Sequence, residues 1–228
     1  MREIDADSLR SIPLFGQVDD RHLPRLVQAA SIREFPAQTL LFSEGERPQA
    51  LYGLIAGSVE LFSGRHDRRC TISIIRSAKA FVICAVVRDS HAMSARTLEA
   101  SRLVMVPAGL IRELFDADPG FLREAARELA GDHLSVIEDL KSLRLKTSIE
   151  RLAEWMLRCD AQAGGSGRFA IPYDKRTLAA YLGMAPENLS RNLATLASAG
   201  VVVRGRRIVI NDPKALAAIA GSGCPADG

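Results

Sequence analysis

Asp174-Lys-Arg-Thr-Leu-Ala-Ala-Tyr-Leu-Gly-Met-Ala-Pro-Glu-Asn-Leu-Ser-Arg-Asn-Leu-Ala-Thr-Leu196 decides the fold, because it reads as two short helices joined at Gly183. Thr177 to Leu182 supplies one apolar-faced helix, Gly183 permits the turn, and Pro186 stands where a second helix begins and needs no N–H. Leu189, Leu193 and Leu196 line one face of that second helix. Its other side carries Glu187, Asn188, Ser190, Arg191 and Asn192, side chains of the kind that read base edges from the N-terminal end of a recognition helix. A glycine bend between two amphipathic helices also occurs in proteins that never touch nucleic acid. The residues on its C-terminal side favour DNA: Val201-Val-Val203 and Ile208-Val-Ile210 read as two strands around the basic turn Arg204-Gly-Arg-Arg207. Helix, turn, helix and hairpin together make a winged helix, with Arg204 and Arg206 placed for phosphates and Thr177, at the start of the first helix, a further candidate DNA-binding residue.

The charge distribution agrees. The 228 residues carry a net charge of only +3, yet between Thr147 and Lys214 ten basic residues face six acidic ones. The basic excess of the chain is thus concentrated where the helix-turn-helix lies. Four cysteines, at 70, 84, 159 and 224, show no C-x-x-C spacing, and only His66 lies near one of them. No metal site is read from them, and buried or idle thiols are expected. The polar opening Met1-Arg-Glu-Ile-Asp and the lack of any apolar run of roughly 20 residues predict a cytoplasmic protein without a membrane span.

Upstream, short apolar segments alternate with turns from about Ser31 to Pro107: Thr39–Phe42, Leu51–Ile55, Ser58–Phe62, Thr71–Ile75, Ala80–Cys84 and Arg102–Val106. Strands this short and regular predict a β-roll or jelly roll whose interior is a candidate ligand pocket. After Asp118-Pro119, the residues Leu122, Ala126, Leu129, His133, Val136, Leu140 and Leu143 are spaced alternately by four and three. That is a coiled-coil seam along which two subunits would pair, placing two recognition helices on a palindrome. The other reading is a helix packed only on its own domain, although such a helix usually shows a wider apolar face. His133 in the seam reads as a structural histidine. His91, in Arg88-Asp-Ser-His-Ala92, reads as a solvent-exposed loop residue rather than a haem ligand. Asp160 to Gly167 reads as a flexible connection.

The expected class is α+β: an effector roll over 1–118, a dimerisation helix over 119–146, a winged helix-turn-helix over 147–220, and a disordered tail over 221–228. From about Leu14 to Pro213 this chain resembles the CRP/FNR superfamily of transcription regulators, most of all its FNR/DNR/NnrR-like branch. The resemblance rests on Leu41-Phe-Ser-Glu-Gly-Glu46, Leu51-Tyr52, Gly57-Ser-Val-Glu60, Met93-Ser-Ala-Arg-Thr97, Lys175-Arg-Thr-Leu-Ala179 and Glu187-Asn-Leu-Ser-Arg191. It implies a homodimer that reads a site near TTGAT-N4-ATCAA and works with RNA polymerase. Glu187 would meet a cytosine amino group, Arg191 a guanine and Ser190 a thymine, with Arg176 on a phosphate.

The effector region departs from the cyclic-AMP binders of that superfamily. Ile83-Cys84 stands where they carry Gly-Glu, Met93-Ser94 where they carry Arg-Ser, and Val136-Ile137 where their helix bonds the base. A buried phosphate without a guanidinium is costly, so cyclic AMP is not expected. Nor is an iron–sulfur cluster, since the N-terminal cysteine run is missing. The resemblance leaves open nitric oxide, low oxygen or another gas or redox signal, with haem as one carrier, a redox thiol or an unknown small molecule, or no effector at all. Two other functions compete: a ligand-binding signalling module whose winged helix contacts proteins, and an enzyme. Against an enzyme stands the lack of any Ser/His/Asp set, metal cluster or phosphate-cradling glycine loop.

Overall fold

The computed structural model describes residues 4–65, 68–76, 78–171 and 173–221. His66, Cys224 and most of the tail expected to be disordered lie outside them. Two compact units make up the chain, Met1–Val136 and Ile137–Gly228.

The first unit opens with three short helices, α1 (Ala6–Arg10), α2 (Pro13–Gly16) and α3 (Leu23–Ala29). The strands β1 (Ser31–Phe35), β2 (Leu40–Phe42), β3 (Ala50–Ala56), β4 (Val59–Arg65), β5 (Arg68–Ile75) and β6 (Lys79–Phe81) come next. A helix α4 (Ile83–Arg88) then precedes β7 (Ser94–Thr97), β8 (Ser101–Pro107) and α5 (Ala108–Ala117). The strands form two four-stranded antiparallel sheets, in the orders β1-β8-β3-β6 and β2-β7-β4-β5. The expected roll is present.

Alternation along β3 and β8 shows how this unit packs. Tyr52, Leu54 and Leu103 face the other sheet with Phe42, Val59, Leu61 and Phe81. Leu51, Val104 and Val106 face the opposite way, into a helical layer with Leu14, Phe15, Ile111 and Phe121. Side chains of successive strand residues point to opposite faces, so a sheet covered on both sides is apolar along its whole length. The turn from β3 to β4 needs Gly57, whose φ is +98° and whose added Cβ would stand 2.3 Å from Ser101 Oγ. On β4, Glu60 is 1% exposed and satisfied from two strands: Arg96 Nε on β7 and Thr71 Oγ1 on β5 each donate to it at 2.6 Å.

The run Ala80–Cys84, expected as a strand, is divided. Pairing with β3 ends at Phe81, Val82 takes φ +59°, and α4 begins at Ile83, so Cys84 lies on a helix. The long helix α6 runs from Pro119 to Leu145. Asp118 sets its start: Oδ1 accepts from Phe121 N at 3.0 Å and Oδ2 from Asp19 N at 2.9 Å. Burial opposes ionisation of this carboxyl, but the N–H groups of Phe121, Asp19 and Gly120 prevail and hold it below the usual carboxylate range.

The second unit contains α7 (Ser148–Gln162), β9 (Arg168–Ala170), α8 (Lys175–Tyr181), α9 (Pro186–Ala197), β10 (Val201–Arg204), β11 (Arg207–Ile210) and α10 (Pro213–Ile219). Thr147 and Glu150 make a reciprocal capping box at the start of α7. The strands form one antiparallel sheet in the order β10-β11-β9. The connection Asp160–Gly167, expected to be flexible, is tied down: buried Asp160 accepts from Gly167 N at 2.7 Å through Oδ1 and from Gly165 N at 2.8 Å through its carbonyl.

Candidate nucleic-acid interface

Local chemistry builds α8, the turn and α9 in order. Asp174 caps α8 by accepting from Thr177 N at 2.7 Å. At its other end Met184 N donates to Ala179 O (3.0 Å) and Gly183 N to Ala180 O (3.2 Å), with Gly183 at φ +62°. That is the paired closure of a helix on a left-handed residue. Arg151 of α7 then fastens the turn, donating from Nε to Leu182 O at 3.0 Å and from Nη2 to Gly183 O at 3.3 Å. In the sequence Arg151 is only one of ten bases, and a role made by partners 31 and 32 residues away leaves no local signal.

α9 buries Leu189 and Leu196 completely and turns Glu187, Ser190, Arg191 and Ala194 outward. These sit at i, i+3, i+4 and i+7, which is one stripe of a helix. Asn188 is half-buried, and Arg191 Nη2 donates to its Oδ1. Asn192, expected among the base readers, faces inward, its amide donating to Ser148 Oγ at 3.0 Å. Arg176 is exposed at the start of α8, but Thr177 is only 6% exposed, so it does not share the open face expected of it. In the wing, Arg204 pairs with Arg207 across a two-residue turn whose first residue, Gly205, has φ +60°. Arg204, Arg206 and Arg207 are all exposed.

Along α6 most of the seam is bare on a single chain. Leu122 is 47%, Val136 58%, Leu140 48% and Leu143 49% exposed, and Ala126 and His133 are exposed as well. Leu129 differs: it is half-buried against the helical layer, in line with buried Phe121 and Ala125 four residues apart.

The expected effector residues lie in different settings. Ile83 belongs to the core of the helical layer, Cys84 is exposed, and Met93 packs inside the roll. Ser94 Oγ accepts from Glu44 N at 2.9 Å, Val136 is exposed, and Ile137 is half-buried. The guanidinium on β7, Arg96, is engaged by Glu60. These residues do not fit a cyclic phosphate. His91 corrects its expectation too: it is 3% exposed, stacked on Phe42 with ring centroids 3.7 Å apart. Burial lowers its pKa, partly opposed by Glu46, and Nδ1 has no hydrogen-bond partner among the described residues. Of the cysteines, 70 and 84 are exposed and 159 is buried. Among the described residues no cluster of His, Cys, Asp and Glu could hold a metal, and no helix is long and apolar enough to cross a membrane.

A β-roll, a long helix and a basic winged helix-turn-helix define a DNA-binding transcription regulator rather than an enzyme. Residues 32–118 match the cyclic nucleotide-binding domain and 150–219 the Crp-like helix-turn-helix domain. The chain belongs to the CRP/FNR superfamily. It is 27% identical over 187 residues to the fumarate and nitrate reduction regulatory protein of Salmonella typhi, spanning 79% of this chain and 75% of that one. Among solved structures, a candidate cAMP-binding regulatory protein from Silicibacter pomeroyi is 27% identical, with TM-score 0.64 over 95% of this chain and 98% of its own. FixK2 from Bradyrhizobium japonicum shares the fold, with TM-score 0.75 at 22% identity, covering 83% and 96%.

Proposed function

We propose that this regulator acts as a homodimer that reads an FNR-like palindrome, TTGAT-N4-ATCAA, and answers a gas or redox signal rather than cyclic AMP. The observation that carries the DNA reading is the outward stripe Glu187, Ser190 and Arg191 on α9. A carboxylate that accepts from cytosine, a forked donor for guanine and a hydroxyl between them match one half-site. Exposed Arg176, Arg204 and Arg206 would serve as phosphate contacts, with Asn188 turned to Arg191. The bare apolar seam on α6 supports pairing of two chains, which sets the separation of the two recognition helices.

Against cyclic AMP stand the engaged Arg96 and the lack of any cationic group among Ile83, Cys84, Met93 and Ser94. His91 adds nothing to the case for haem, since its ring is buried and stacked flat on Phe42. Contact with RNA polymerase through roll loops completes the reading.

Fluorescence anisotropy on the palindrome and on a scrambled duplex, across a salt series, tests it. The expected result is weak, unselective binding by the untreated protein, selective binding after haem and nitric oxide, and no response to cyclic AMP. Selective binding at once would instead mark a regulator governed by its own abundance. A cyclic-AMP response would overturn the effector reading.

A further inference from the structure

Between the wing and the two helices of the reading unit lies a pocket of about 220 Å³. Leu178 of α8, Leu193 of α9, Val203 of β10 and Ile208 of β11 wall it with apolar side chains, so water gains little there. An apolar cavity of roughly 150 Å³ already admits benzene, so this one has room for a substituted ring. Its lining includes charged groups. Lys175 and Arg206 both border it, and both are exposed with no ion-pair partner among the described residues. The acid of the lining, Asp174, is committed to the cap of α8.

We infer that this pocket binds a small organic anion with an apolar body, an aromatic carboxylate, and that the bound anion weakens the hold on DNA. The body would lie against Leu178, Leu193, Val203 and Ile208. The carboxylate would sit between Lys175 and Arg206, where complementary charge favours an anion over a neutral analogue. Coupling to DNA comes through Arg206, a proposed phosphate contact. Arg206 occupies the wing turn, and Ile171 N donates to Arg206 O at 2.8 Å, so the turn is tied to the pocket wall. A guanidinium neutralised by a carboxylate is lost to the phosphates. The second half of the inference rests on the proposed placement of the wing against DNA.

The test begins without DNA, by isothermal titration of the full chain with 4-ethylbenzoate, 4-ethylbenzyl alcohol and acetate. The expected result is that 4-ethylbenzoate binds at least tenfold more tightly than either comparator. Arg206→Gln and Lys175→Gln, both at exposed positions, should each weaken it at least threefold. Val203→Phe, which fills the pocket, should abolish it while leaving DNA affinity unchanged. Equal binding of acid and alcohol, or of acid by the wild type and both charge variants, would overturn the site whatever the fate of Val203→Phe. In a second arm, saturating 4-ethylbenzoate should raise the Kd for the palindrome at least fivefold. An unchanged Kd beside tight anion binding would overturn the coupling alone, and a wild type that prefers the palindrome over a scrambled duplex neither untreated nor after haem and nitric oxide would count against the proposed function instead.

Discussion

Arg191 Nη2 donates to Asn188 Oδ1, one turn nearer the N-terminus of α9. A long cationic side chain loses up to about 2 kcal/mol of rotamer entropy when fixed, and this bond fixes part of it before DNA arrives. In the proposed reading of DNA, Asn188 would act through Arg191 as a positioning residue. Arg191→Ala is expected to cost about 1–3 kcal/mol on the palindrome and to relax the preference at one base pair. Asn188→Ala should cost about 0.5–1.5 kcal/mol, the net worth of one hydrogen bond. The double variant should lose little more than Arg191→Ala alone, which anisotropy on specific and scrambled duplexes measures. Equal losses for Arg191→Ala on both duplexes would remove its base-reading role.

The exposed leucines and valine of α6 carry the second expectation. Val136→Glu and Leu140→Glu each put a charge on the bare seam, where like charges from two chains would meet without water. Each should shift sedimentation toward the monomer and lower DNA affinity at least tenfold without altering the melting curve of the single chain. Phe121→Ala makes the contrast: its ring is fully buried beside Phe15 and Phe115, with centroids 5.9 and 5.5 Å away. Its loss should cost about 3–5 kcal/mol of stability. A dimer that survives both glutamates would refute pairing through this face.

A third expectation concerns pH. Burial raises the carboxyl of Glu128 on α6 to about 7, with Asp132 and Glu124 adding to the rise and Lys79 and the Leu14 N–H opposing it. Its Oε2 has no hydrogen-bond partner among the described residues. The folded pKa lies above the ordinary 4.5, so the contribution to stability is complete below that value and is lost as pH rises through about 7. Glu128→Gln keeps the shape and removes the charge. In calorimetry the variant should match the wild type at pH 5 and melt at a higher temperature at pH 8. Parallel curves at both values would dissociate Glu128 from the pH dependence.

Most of the reading unit is legible in the sequence because its signals are local. Gly183 supplies positive φ, Pro186 opens a helix, Gly205 turns a hairpin, and each acts within a few residues of itself. The division of Ala80–Cys84 is not legible, because a short apolar run suits a buried strand and a buried helix equally; the left-handed Val82 decides it. Likewise β7 leaves no strand signal, since Ser94-Ala-Arg-Thr97 becomes a strand through pairing with β4, and Arg96 is matched to Glu60 36 residues away. Long-range partners also account for buried His91, whose backbone is held by Gly45 N and Glu46 O at 2.8 and 2.9 Å. A histidine between Ser and Ala in a polar loop gives no hint of the phenylalanine it will stack on.

Gly183 joins local and distant constraints at one atom. Its φ of +62° costs a residue with a side chain roughly 1–2 kcal/mol, and a Cβ there would also stand 2.5 Å from Leu143 Cδ2. The two effects separate experimentally, because Leu143 is about half exposed and its branch end can move, whereas the backbone is held by the bonds that close α8. Gly183→Ala should therefore lose about 1–2 kcal/mol in chemical denaturation, most of it from the backbone. Gly183→Asn should lose less, since asparagine tolerates the left-handed region. Adding Leu143→Ala to Gly183→Ala should recover only a small part of the loss. Full recovery would mean that the contact with Leu143, and not the turn itself, reserves position 183 for glycine.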